Sequence, residues 1–373
     1  TSGGIKCWGY NFYGQFGDGT ATNSITPVFV PGVTASGVAA GSSHTCAVLT
    51  SGGIKCLGNN GSGQLGNGTT TSSITPVLAP GVMASGVAAG SFHTCAVLTS
   101  GGIKCWGYNG YGQLGNGTTT SSSTPVLVVG VAASAVATGS SHTCAVLTSG
   151  GVQCWGNNGS GQLGDGTTTN STTPVLVPGV TASAVAVGNS HTCALLTSGG
   201  VKCWGSNGSG QLGDGTTNSS STPVSVLGVT ASAVAAANGH TCALLTSGGV
   251  KCWGSNGSGQ LGDGTTTDSP TPVLVPGVMA SAVAAGASHT CTVLTSGGVK
   301  CWGSNGSGQL GNGTTTGSTT PVLVPGVTAS SVTTGSNHSC AVLTSGGVKC
   351  WGDNSSGQRG EAEHNREPSW VLQ

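Results

Sequence analysis

Histidine and cysteine are the residues of this chain best equipped for chemistry, and both recur on a fixed ruler. His44-Thr45-Cys46 comes back at His93, His142, His191, His240, His289 and His338, always 49 positions on and without an insertion. Fourteen of the 15 cysteines form seven pairs ten residues apart: Cys46/Cys56, Cys95/Cys105, Cys144/Cys154, Cys193/Cys203, Cys242/Cys252, Cys291/Cys301 and Cys340/Cys350. A glycine turn lies midway in each pair, so the two cysteines face each other across a hairpin. Directly opposed Cβ atoms stand ~4.5–5.5 Å apart, a gap that a disulfide spans. The spacing is not Cys-x-x-Cys, which makes zinc a poor fit. Each bridge closes a loop of about ten residues and contributes roughly 2–3 kcal/mol by the chain-entropy argument. Bridges in every unit imply an oxidising compartment, and so an extracellular or cell-surface protein. The odd cysteine is Cys7 or Cys350, depending on how the chain ends pair.

Few other residues offer reactivity. Only 5% are charged, with nine Lys plus Arg against nine Asp plus Glu. A typical domain is about 25% charged. No basic stripe exists to neutralise phosphates, so nucleic acid is not an expected partner. Gly-Gln-Leu-Gly lacks the Lys-Ser or Lys-Thr of a phosphate loop. The repeats hold no paired carboxylates, and Glu361, Glu363 and His364 meet only in the divergent tail. General acid–base catalysis has almost no candidates, so the expectation is a non-enzyme without cofactor or metal. Asp165, Asp214 and Asp263 open Asp-Gly-Thr loops that suggest calcium. Asn67, Asn116 and Asn312 hold the same place without the charge, so these read as turn residues bonded to their own backbone. Asn-x-Ser triplets at Asn60, Asn158, Asn207, Asn256 and Asn305 are turn residues first, and sugar acceptors only in a glycosylating cell. Every Tyr and Phe lies before residue 112. Tyr10, Phe12, Tyr13, Tyr108 and Tyr111 sit in otherwise polar loops and are candidate ligand contacts, since exposed aromatics bind sugars or anchor proteins.

The elements that position these residues follow from one unit. Ser85–Gly90 and His93–Leu98 are short apolar runs. Thr99–Gly102 is a tight turn, Ile103–Gly107 a third run, and Thr124–Val128 a fourth after a Thr/Ser tract. That is four strands per unit with no helical period. The second strand is apolar on both faces and must lie between two neighbours. Pro125 lacks an N–H, which places the fourth strand at an edge. A 49-residue period of this kind builds blades stacked about an axis. No run of about 18 apolar residues offers a membrane-spanning helix. The chain starts inside a repeat, with Thr1-Ser2-Gly3-Gly4 matching Thr50-Ser51-Gly52-Gly53, and this carries no information about export.

The units resemble the repeats of the regulator of chromosome condensation family. The residues that carry the likeness are His142-Thr143-Cys144-Ala145, Trp155-Gly156-Asn157 and Gly161-Gln162-Leu163-Gly164, with their counterparts along nearly the whole chain. The resemblance implies an all-β, seven-bladed β-propeller of four-stranded blades. It also implies that the histidines sit at strand starts, bonded to the backbone of the next blade, and form no metal ring. Known members are nucleotide-exchange factors, chromatin binders and secreted inhibitors. This chain has no inserted wedge, acidic patch or basic tail, and its uncharged, cysteine-bearing units look closest to secreted bacterial members.

The ends do not balance. Seven His-Thr-Cys strands face eight Cys-Trp-Gly strands, with Leu57 as the one Trp replacement. The preferred closure pairs the first strand, at Cys7, with the Cys340 strand. Residues 1–346 then form the propeller, and 347–373 are a surplus strand and divergent tail. The alternative keeps the Cys340–Cys350 hairpin local. An eight-bladed ring would lack a pair of strands, and an open arrangement is the remaining option. Trp370-Val371-Leu372 falls in register with Pro321-Val322-Leu323. The expected function is a secreted or surface binding scaffold whose partner is a protein, a glycan or another copy of itself. A self-assembling filament subunit and, by family analogy, a guanine-nucleotide exchange factor are the alternatives.

Overall fold

The computed structural model describes residues 4–9, 11–13, 16, 18–345, 348–353 and 369–371. Among them every regular element is a strand. The chain clusters into two compact units. One comprises Thr1–Asn23, Val28–Ser190 and Ser220–Pro223, the other Ser24–Pro27, His191–Ser219 and Val224–Gln373.

Within the first unit, Ala84–Ala89, His93–Leu98, Ile103–Gly107 and Ser122–Val128 form one antiparallel four-stranded sheet. The register sets Val87 opposite Ala96, Cys95 opposite Cys105, and Cys105 opposite Val126. The middle strands are buried on both faces, as their two-sided apolar pattern requires. The fourth strand is mostly only partly buried, and Leu127 on it is half exposed. The hairpin turn is closed by Leu98 N–H on the Gly102 carbonyl and Gly101 N–H on the Leu98 carbonyl, both at 2.8 Å. Gly101 sits at φ +87°, a conformation that only glycine adopts freely. Lys104 reaches across the edge to the Gly81 carbonyl at 2.8 Å, which holds the link between sheets.

Within the second unit, Ala231–Ala236, His240–Leu245, Val250–Gly254 and Ser269–Leu274 repeat this sheet. Strand Ser318–Thr334 serves two sheets. Its first part pairs with Gly298–Gly303, placing Leu323 opposite Lys300, and its last part pairs with His338–Leu343, placing Val332 opposite Ala341.

The end of the chain departs from the preferred closure. His338–Leu343 pairs with Val348–Gly352, and that strand pairs with Ser369–Val371. The local hairpin is therefore the one formed, and strands after 347 complete the last sheet. A partner ten residues away costs far less loop entropy than one from the other end. The strand Gly4–Gly9 lies beside Ser24–Ala40, and among the described residues no His-strand pairs with it. Trp370 stands opposite Lys349, the place of Leu323 opposite Lys300, two residues from the alignment that the sequence suggests. A two-residue slip preserves the period of two along a strand, so strand periodicity does not oppose it. The charged tail Glu361–Glu367 lies outside the described residues.

All seven cysteine pairs are bridged. In the first unit the bridges are Cys46–Cys56, Cys95–Cys105 and Cys144–Cys154. In the second they are Cys193–Cys203, Cys242–Cys252, Cys291–Cys301 and Cys340–Cys350. Each joins residues directly opposite in the hairpin register, with Cα atoms 4.1 Å apart. Cys56, Cys105, Cys154, Cys203, Cys252, Cys301 and Cys350 lie on the inner strand of each hairpin pair and are wholly buried. Their partners are wholly buried too, except Cys340 on the last His strand, which is partly exposed. These cysteines therefore hold hairpins together and take no part in a binding surface.

Because Cys350 is bridged, Cys7 is the free thiol. Burial first, and Asp18 second, push its pKa up to about 12. The unfolded, unreduced chain is expected to take up one alkyl label, and the reduced chain fifteen, counted by intact mass. The native protein at about pH 8 should label slowly at Cys7, because little thiolate forms there.

Candidate functional site

The recurring geometry of each unit is a joint to the next, and it explains what most of the chemistry-capable residues do. Thr94 Oγ1 donates to the Gln64 carbonyl at 2.9 Å, and Trp106 Nε1 donates to the same oxygen at 2.9 Å. Thr94 has then spent its one proton, so at 2.8 Å from His44 Nε2 it can only accept. His44 is therefore the Nε2–H tautomer. The same triad joins His93, Thr143 and Gln113. In the second unit it joins His240, Thr290 and Gln260, and, with serine for threonine, His289, Ser339 and Gln309. The histidine partner is thus a hydroxyl that relays to the backbone, not the backbone itself as expected. Gly66, which ends the Gly-Gln-Leu-Gly loop, lies flat on Trp106. A Cβ there would stand 2.7 Å from the indole nitrogen.

Burial pushes these histidines down: His44, His191 and His289 to about 4, His93 and His240 to about 3. His338 is lowered for the same reason, with Asp353 opposing. Nδ1 of His44, His93, His191, His240 and His289 is buried with no hydrogen-bond partner. A proton placed there would be an uncompensated buried charge. Unfolded histidine titrates near 6.5, so below that pH the unfolded state binds more protons than the folded one. Stability is expected to be full above about pH 6.5 and to fall as the pH drops from there towards about 4. The slope is at most ~1.4 kcal/mol per pH unit per histidine. Thermal midpoints measured from about pH 7.5 down to about 4 check this.

The loop asparagines and aspartates are equally structural. Asn158 Nδ2 donates to the Thr167 and Thr169 carbonyls at 3.1 Å each, and its Oδ1 accepts Leu163 N–H at 2.9 Å. Asn60, Asn158, Asn207, Asn256 and Asn305 are all buried. Their amides are committed, which removes them as sugar acceptors in the folded protein. Asp165 accepts Thr167 N–H at 3.0 Å, closing a turn on its own backbone. Among the described residues no group of three His, Cys, Asp or Glu could hold a metal ion.

The first unit also holds an open recess. A recess of 440 Å³ lies among three consecutive turns before the His strands, at Ser91-Phe92, Ser140-Ser141 and Asn189-Ser190. Two loops complete it through Tyr111, Asn157 and Gln162. Backbone bonds fix these elements: Tyr108 N–H to the Phe92 carbonyl, and Asn157 N–H to the Ser141 carbonyl, both at 2.9 Å. Of the aromatics singled out in the sequence, Tyr111 lines this recess, with Tyr108 edge-on to it at 6.3 Å between centroids. Phe12 and Tyr13 pair edge-on at 5.2 Å in another loop, and Tyr10 lies outside the described residues. Phe16 is core. Phe92, which the sequence reading did not single out, is exposed beside Tyr111. Its signal was available, since Ser43, Ser141 and Ser190 hold the same turn position.

Tyr108 carries a cost. In five other loops the Gln of Gly-Gln-Leu-Gly donates to an Asn or Ser five residues earlier, as Gln162 Nε2 does to Asn157 Oδ1 at 2.5 Å. Tyr108 offers no such acceptor, and Gln113 Nε2 is buried without a partner. An unmade buried bond costs about 1–3 kcal/mol. Tyr108→Asn should therefore raise stability by roughly 1 kcal/mol, read as a higher urea midpoint at an unchanged slope.

These sheets are the blades of a β-propeller. Solved structures share the fold. Human WBSCR16 is 22% identical over 90% of this chain and 97% of its own, with a TM-score of 0.76. Prp20p of Saccharomyces cerevisiae, described with its binding to Gsp1p and histones, is 20% identical over 89% of each chain, TM-score 0.72. Yeast RCC1 (Prp20), solved with Kap60 bound to it, is 21% identical over 89% of this chain and 87% of its own, TM-score 0.73. The RCC1-like domain family matches residues 128–372, and the regulator of chromosome condensation (RCC1) repeat matches 2–48, 51–97 and 100–146. The chain belongs to this family. No curated protein matches it by sequence.

Proposed function

We propose that this chain is a non-enzymatic, seven-bladed binding scaffold that works outside the cell or at its surface, on a protein or glycan partner. The observation that carries the reading is one disulfide in every unit, from Cys46–Cys56 to Cys340–Cys350. A reducing compartment would leave fourteen thiols, nearly all of them buried, in place of bridges. Seven His strands recurring every 49 residues support the count of seven. The buried histidines and committed loop carboxylates leave binding as the role that the residues favour. An exchange-factor role gains no support from these residues, because its small GTPase partner belongs to a reducing compartment.

The near-identical 49-residue units favour a second reading, a head-to-tail assembly of copies. Fractionating the source organism tests both. The reading expects the bridged chain outside the cell or on its surface, with a monomeric mass in light scattering. Recovery from the cytosol with all cysteines reduced overturns it. A mass that grows with concentration transfers the case to the assembly.

A further inference from the structure

We propose that the recess of the first unit is a carbohydrate site for a neutral pyranose sugar. This rests on the scaffold reading and names the ligand of one place on it.

Three observations converge. The volume, 440 Å³, falls in the range of about 300–1,000 Å³ typical of small-molecule sites. No charged or titratable side chain other than Tyr111 lines it. Its polar groups are also oriented. Gln162 Nε2 donates to Asn157 Oδ1 at 2.5 Å, so Asn157 turns its amide N–H bonds outward. Ser140 Oγ donates to Asn189 Oδ1, which leaves the Asn189 amide hydrogens facing away from that contact. Asn157 and Asn189, with their carbonyl oxygens engaged, line the recess together with Ser141 and Ser190, and no carboxylate competes. Such a donor-rich, neutral site suits hydroxyl, ring and acetamido oxygens. It offers neither a carboxylate to a cation nor a counter-charge to an anion.

The aromatics supply the apolar half. Phe92 is 48% exposed and Tyr111 39% exposed. An exposed ring gives the C–H face of a pyranose a flat apolar wall. Packing does not require either residue: Ser43, Ser141 and Ser190 replace Phe92 in other units, and Ser62, Ser160, Ser209, Ser258 and Ser307 replace Tyr111. Gln113 Nε2 is buried without a partner, so the aromatic residue at Tyr108 carries a cost in stability.

Titration calorimetry on the full, disulfide-bonded chain tests the site, with chitotriose, cellotriose and maltotriose as probes and trigalacturonate as the acidic counterpart. At least one neutral trisaccharide should bind with a sub-millimolar Kd. Tyr111→Ser, which copies five other loops, should weaken it at least about tenfold. Asn157→Asp keeps the acceptor for Gln162, replaces a donor by a charge, and should do the same. Failure of all three neutral sugars, equal binding to both variants, or tighter binding of trigalacturonate overturns the proposal. A chain found bridged and extracellular that binds no sugar loses only this site and keeps the scaffold reading.

Discussion

Everything in this molecule hangs on a backbone carbonyl that accepts two hydrogen bonds. The Gln64 oxygen takes one from Trp106 and one from Thr94, and Thr94 in turn takes one from His44. The blades are too thin and too apolar to stand alone, and this joint fixes how each meets the next. Both lone pairs of the carbonyl are used, the one proton of the hydroxyl is committed, and the indole is buried. Nothing in the joint tolerates a shift of register, which is why 49 residues return without insertion.

The joint also disciplines the glycine-rich loop. Gly66 must lie flat against Trp106, and Gly63 against the backbone of Ser123. Leu65 between them is wholly buried. Gly-Gln-Leu-Gly, which in isolation reads as an ordinary turn, is therefore the part of each unit that is inserted into its neighbour. Asn60 organises the approach by binding two carbonyls ahead and one N–H between.

What the sequence made legible was whatever depends on contacts close along the chain. The cysteine pairs could be read because ten residues and a glycine turn dictate a hairpin, and period two dictates the facing. The four strands and the edge proline follow from the same local rules. The histidine partner could not be read, because it sits 50 residues on and is a hydroxyl that any Thr or Ser supplies. The recess escaped for a related reason. It gathers one turn from each of three consecutive 49-residue repeats, and Phe92 differs from its counterparts by a single side chain in an otherwise regular row. The chain ends were the hardest, since the preferred closure weighed symmetry above the entropy of a short hairpin, and the charged tail erased the Thr/Ser marker that sets the final register.

The locality of the disulfides has a consequence for how the protein is made. Fourteen cysteines admit a vast set of pairings, most of them wrong. Here each partner is the next cysteine along the chain, across one tight turn, so the correct thiol has the highest effective concentration at every step of synthesis. Each hairpin can oxidise once its own two strands are made, before its successor appears. The repeat thereby turns oxidative folding from a search among pairings into a sequence of independent closures, read out from the N-terminus in the order in which the blades are needed.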